Sequence, residues 1–144
     1  MDKKFSAKVS LLIQAPASAV WEALTRPEMI QQYLHGTKAE SEWKEGSPLI
    51  FRGEWKGKSY MDKGLIQKME KEKLFRYTWL SSFSGLSDLP ENYSIVSYEL
   101  SPVQNATKLT VTQENIPTEK GKQASEKNWL AVLQTLKSLV EKKS

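Results

Sequence analysis

Ala15-Pro16-Ala17-Ser18-Ala19-Val20-Trp21-Glu22-Ala23-Leu24-Thr25-Arg26-Pro27-Glu28 interrupts an otherwise strand-rich chain, and its reading decides the fold. Pro16 can start a helix because its missing N–H would have no partner in a first turn. Ala17, Val20, Trp21 and Leu24 then fall on one helical face. Thr25 is expected to open a second helix, its hydroxyl accepting from the third helical N–H while Glu28 reaches back to the Thr25 amide, with Pro27 in the tolerant first turn. The pair should end near Leu34-His35-Gly36.

Upstream, Phe5, Ala7, Val9, Leu11 and Ile13 alternate as a half-buried strand does. Lys3-Lys4 followed by Val9-Ser10-Leu11-Leu12-Ile13 imitates a secretory leader, but Lys8 and Gln14 bound an apolar run shorter than the ~7–15 residues such leaders need. No window approaches the ~18 apolar residues of a membrane span, so a cytoplasmic protein without a membrane span is expected. The 144 residues are expected to form one domain, 1–144, large enough to bury a core. With no cysteine, disulfides, thiolate metal sites and thiol nucleophiles are excluded. The formal charge of +4 is spread over lysine pairs separated by acids, the pattern of a solvated surface and not of a nucleic-acid binder.

Downstream the period is two. Thr37–Glu42 is a weak strand, and Leu49–Arg52 and Ser59–Glu70 form a hairpin about Trp55-Lys56-Gly57-Lys58, with Gly64 marking a bulge or a close backbone approach. Phe75, Tyr77 and Trp79 line one strand face. After a long loop, 81–92, the segments Tyr93–Leu100 and Thr107–Glu114 complete a meander. From about Thr118 the period becomes 3.6, with Trp129, Val132, Leu133, Leu136 and Val140 in one stripe. A rod of roughly 35 Å follows from the ~1.5 Å rise per residue.

A strand, two short helices, a run of strands and one long helix, carried on Ala15-Pro16, Val20-Trp21-Glu22-Ala23-Leu24-Thr25, Pro27-Glu28, Trp43, Gly46, Gly64, Tyr77-Thr78-Trp79, Thr107-Lys108-Leu109 and Asn128-Trp129, resembles the START-like (SRPBCC) superfamily. The branch it is similar to is the C-terminal domain of the activator of heat-shock-protein-90 ATPase. The resemblance implies an α+β helix-grip fold: a curved antiparallel sheet around a long C-terminal helix, with two short helices after the first strand. It also implies a space between sheet and helix of the kind that superfamily members use for lipids, sterols or polyketides.

The inventory of inward rings suits an apolar, aromatic ligand site by itself. Phe51, Tyr60, Phe75, Tyr77, Trp79, Tyr98 and Trp129 are its expected walls, with Leu133 beside Trp129 on the helix stripe. Met29, Tyr33 and Leu34 of the second helix stand at its expected mouth. Each ring could instead be plain core, since aromatics bury large area in any surroundings. The leading expectation is a non-enzymatic binder of a small apolar or aromatic molecule such as a lipid, polyketide or flavonoid, with no cofactor and no metal. A protein-interaction or co-chaperone module, with its partner unknown, is the alternative. It ranks second because the family's co-chaperones carry a separate N-terminal client-contacting domain and this chain opens on the START-like part.

Catalytic chemistry is sparse. Gly53-Glu54-Trp55-Lys56-Gly57-Lys58-Ser59 is one residue short of a phosphate-binding loop and joins two strands, so no helix N-terminus would face a phosphate. His35, the one histidine, lacks a nucleophile elbow and suits the end of a helix. Asp62 shares its parity with Tyr60, Gly64 and Ile66; inward, it would be a candidate base for a cyclase-like or hydrolase-like enzyme. A bulge at Gly64 would reverse that parity, and Asp62 is expected to be exposed.

Overall fold

The computed structural model describes residues 4–34, 36–81 and 85–141, with Trp55 described by its backbone. Strand β1 (Phe5–Ile13) leads into helices α1 (Ala17–Thr25) and α2 (Pro27–Tyr33). Strands β2 (Lys38–Ser41), β3 (Pro48–Trp55), β4 (Lys58–Glu70), β5 (Leu74–Trp79), β6 (Ser94–Val103) and β7 (Ala106–Ile116) follow, and α3 (Glu119–Glu141) closes the chain. The strands form one antiparallel sheet in the order β1-β7-β6-β5-β4-β3-β2. Curved around α3, this is the helix-grip fold that the family resemblance implies.

Local chemistry sets the boundaries. Pro16 stands just outside α1 as its N-cap, with extended φ and ψ, and its carbonyl accepts from the Ala19 and Val20 amides at 3.0 and 3.2 Å. The expected Thr25 capping box does not form. Thr25 is the last residue of α1 and donates its hydroxyl back to the Trp21 carbonyl at 2.8 Å, which occupies the group that a cap would need. Arg26 takes the N-cap of α2, and Pro27 follows it in the first turn.

The β3–β4 hairpin turns through Lys56 and Gly57, both at positive φ, as a tight two-residue loop requires. Gly64 is a close approach and not a bulge: a Cβ there would collide with the carbonyl oxygen of Thr78 on β5. The register break of β4 against β5 comes later, between Ile66 and Lys68. Strands β6 and β7 run further than the pattern suggested, and only Gln104 and Asn105 separate them.

The core lies between the sheet and the helices. Leu133 and Leu136 of α3 are wholly buried, as are Leu49, Leu109 and Val111 of the sheet, and each such side chain contributes about 1.5–3 kcal/mol. The α3 stripe is the one that the 3.6 period marks: Trp129, Val132, Leu133, Leu136 and Val140 are its buried residues. At its far end the Gln14 amide donates to Glu141 Oε2 at 2.7 Å, tying α3 to the exit of β1. Helices α1 and α2 close one end of the sheet with Trp21, Leu24, Ile30 and Tyr33.

Candidate functional site

Between β3–β7 and the first half of α3 lies a cavity of about 280 Å³. Phe51 from β3, Tyr60 and Asp62 from β4, Tyr77 and Trp79 from β5, Val96 from β6, Gln113 from β7 and Asn128 and Trp129 from α3 line it. Leu34 and Thr37, on the link from α2 to β2, and Glu54 complete the wall. Strand alternation explains the choice. Phe51 and Asp62 sit opposite each other in the β3–β4 ladder, and partners in a ladder point to the same face.

Asp62 is therefore inward and only 8% exposed, which corrects the expectation of an exposed carboxylate. The parity of β4 survives through Gly64 to Ile66 and breaks only beyond it. Met61 and Leu65, on the other parity, are exposed. Tyr60 lies across Gly53, where a Cβ would collide with its ring, and its hydroxyl hydrogen-bonds Thr37 Oγ1. That pair links the hairpin to the segment after α2.

Trp129 is held by a polar node. Its indole Nε1 donates to Gln113 Oε1 at 2.9 Å, Ser125 Oγ donates to the same oxygen at 2.7 Å, and Gln113 Nε2 donates to Ser94 Oγ at 3.2 Å. The Trp129 ring meets Tyr98 edge-on with centroids 5.8 Å apart. Such a fixed indole presents a rigid wall.

Five of the expected wall residues, Phe51, Tyr60, Tyr77, Trp79 and Trp129, line this cavity. Tyr33, Phe75 and Tyr98 do not: they border a gap of about 10 Å³ nearer the helix pair. Leu133 is wholly buried in the core and lines neither space. Met29 is buried in the core as well. Burial pushes the Tyr33 and Tyr77 hydroxyls well above the ordinary tyrosine range, with charge repulsion from Tyr98 adding to both. Burial also pushes Tyr98 up to about 12. All three stay neutral hydrogen-bonding groups, and Tyr33 donates to the Ala23 carbonyl at 2.9 Å. His35 lies outside the described residues.

Thr37, Gln113 and Asn128 line the cavity without having been anticipated. Gln113 carried a signal: it continues the parity of Leu109 and Val111 on β7, so a polar inward residue was readable there. Among the described residues no group of histidine, aspartate and glutamate is arranged to hold a metal ion. No described helix is long and apolar enough to cross a membrane.

Comparison with solved structures finds this architecture repeatedly. ChR145 from Cytophaga hutchinsonii is 43% identical, with a TM-score of 0.86 over 99% of this chain and 98% of that one. PFC0360w, an HSP90 activator from Plasmodium falciparum, is 24% identical, with a TM-score of 0.63 over 78% of this chain and 74% of its own. Ara h 8.0201 shares the fold at 10% identity, with a TM-score of 0.78 over 97% and 99%. No curated protein sequence matches the chain. The family model described as Activator of Hsp90 ATPase homolog 1-like protein matches residues 14–141, a span that runs from the end of β1 through the whole of α3. The chain belongs to that family, within the START-like (SRPBCC) superfamily.

Proposed function

We propose that this protein binds a small molecule with an apolar or aromatic body in the cavity between its sheet and α3. One observation carries this: a hollow of about 280 Å³ walled by Phe51, Tyr77, Trp79 and Trp129, beside a core half whose residual gap is about 10 Å³. Interiors are ordinarily close-packed, and rings that face a void forfeit dispersion contacts that a guest of the right shape restores. The volume stands at the lower end of the ~300–1,000 Å³ usual for ligand sites, which favours a compact ring system over a long-chain lipid. Phe51, Tyr60, Tyr77, Trp79 and Trp129 touch the guest. Tyr33, Phe75, Tyr98 and Leu133 support these walls from behind.

Titration with compact hydrophobic or flavonoid-like compounds, followed by amide and indole NMR signals, should shift Trp79 and Trp129 and their neighbours. Shifts confined to surface lysines overturn the proposal. The role is binding; an enzyme using Asp62 as its base would instead show a turnover that Asp62→Asn removes.

A second reading has its own support in the family match over residues 14–141 and in the HSP90 activator among the similar structures. It makes this chain a protein-interaction module that engages Hsp90. A pull-down with purified Hsp90 that gives both retention and a faster ATPase would move this reading ahead of the first.

A further inference from the structure

Gly53 stands inside β3 at a position whose backbone does not call for glycine. The glycines at positive φ are Gly36, Gly46, Gly57 and Gly85; Gly53 is not one of them, and a glycine within a strand gives up packing and conformational entropy. What the position requires is room. A Cβ there would overlap the hydroxyl, Cζ and Cε2 of Tyr60, its ladder partner on β4.

Thr37, Gly53 and Tyr60 form one row across the sheet. Lys38 of β2 pairs with Arg52, so Thr37, one residue earlier, stands beside Gly53 on the side away from β4. The Tyr60 ring lies across β3, in the space that a side chain at 53 would take, and its hydroxyl meets Thr37 Oγ1. That bond spans two strand spacings of ~4.8 Å each. Gly53 shares the inward parity of Phe51, so the row lies on the cavity side, and Thr37 and Tyr60 both line the hollow.

We propose that Gly53 sets the size of guest that the cavity takes, by giving the Tyr60 ring a berth against the sheet. This rests on the cavity being a ligand site, and it narrows the guest to a fused two-ring body admitted while Tyr60 is berthed. Gly53 is a positioning residue, acting through Tyr60. With the berth filled, the ring must move to another of its few staggered orientations, and it stands off β4 into the hollow. A phenol ring set into about 280 Å³ takes the space that a second fused ring needs and leaves room for a single ring. Thr37 keeps the ring down: its side chain is buried, and a buried hydroxyl stripped of its partner is costly.

The test titrates the full chain with two probes, phenol and 2-naphthol, followed by calorimetry and amide NMR shifts. Gly53→Ala should weaken 2-naphthol about 10-fold, or ~1.4 kcal/mol, and phenol less than about 3-fold. In a Tyr60→Ala background the same Gly53→Ala change should leave 2-naphthol within about 2-fold, because no ring remains to displace; the cycle isolates the coupling. Proton contacts of the Tyr60 ring should move from residue 53 to the indoles of Trp79 or Trp129. Thr37→Val releases the ring without filling the berth and should weaken 2-naphthol about 3-fold with phenol unchanged. This variant carries the test should Gly53→Ala fail to fold.

Equal weakening of both probes, an unchanged 2-naphthol affinity in folded Gly53→Ala, or a loss that persists with Tyr60→Ala overturns the berth while leaving the cavity as a ligand site. No binding of either probe to the wild-type chain, with no response from Trp79 or Trp129, overturns both readings.

Discussion

The space beneath the sheet has two halves built from the same kinds of side chain, and one is solid where the other is hollow. Near α1 and α2, Phe75 stacks on Tyr98 with centroids 5.9 Å apart, and Trp21 meets Phe75 edge-on at 6.3 Å. The residual gap there is about 10 Å³. Toward the β3–β4 hairpin, Phe51, Tyr77, Trp79 and Trp129 surround about 280 Å³. The helix pair makes the difference. It inserts Trp21, Leu24, Ile30 and Tyr33 into the first half, and among the described residues no helix or strand lies between β4–β5 and α3 in the second. A curved sheet and a straight helix meet along only part of their length, so whichever end lacks a plug stays open. Strand parity establishes that a ring points inward; the plug decides whether it becomes core or wall.

Deleting one ring from each half is the strongest way to break that comparison. Phe75→Ala removes a buried ring from the solid half and should cost about 3–5 kcal/mol, as large-to-small core changes do. Trp79→Ala removes a half-buried ring from the hollow half and should cost roughly 1–2 kcal/mol. Urea unfolding of both variants, with matched m-values, measures the contrast. Equal losses would mean that the Trp79 ring is core after all and that the two halves are energetically alike.

The limits of the sequence follow the same line. Element order and the α3 stripe were legible because each rests on a local period, and Val132, Leu133 and Leu136 are buried where that period puts them. The inward set Phe75, Tyr77, Val96 and Tyr98 was legible for the same reason. The Thr25 cap was misread because a threonine near a helix end can either cap forward or bond back to the carbonyl four residues earlier, and the residues alone do not choose. The direction of Asp62 depended on where one register break falls. It falls between Ile66 and Lys68, past the glycine that seemed to mark it. Which rings face the cavity depends on sheet curvature and on the reach of the helix pair, quantities that belong to no single residue.

A smaller effect should follow from the node that holds the hollow wall. Gln113→Leu leaves the Trp129 indole N–H and the Ser125 hydroxyl without the acceptor they share. An orphaned buried donor costs about 1–3 kcal/mol, so the variant should fold with a reduced unfolding midpoint. The sharper readout is local. The Trp129 indole resonance should broaden or shift while the amide signals of Phe75 and Tyr98 stay within their wild-type positions. A perturbation that spreads equally into Phe75 would show that the two halves behave as one packed unit.

The smallest effect concerns the far end of α3, on the solid side. Glu141 is held below the ordinary glutamate range, first by its hydrogen bond from Lys137 and then by the one from the Gln14 amide. A carboxylate with a depressed folded-state pKa stabilises above the unfolded value of ~4.3, and that contribution disappears as pH falls through the folded one. Acidification should therefore lower the protection factor of the Gln14 amide relative to its intrinsic exchange rate at each pH, and Glu141→Gln should reproduce much of that loss of protection at neutral pH. The Trp129 indole, three turns back along α3, should keep its neutral-pH exchange rate in Glu141→Gln. If the indole responds as strongly as Gln14, α3 moves as a rigid rod whose grip at the solid end also sets the width of the cavity, and the two halves are mechanically coupled through it.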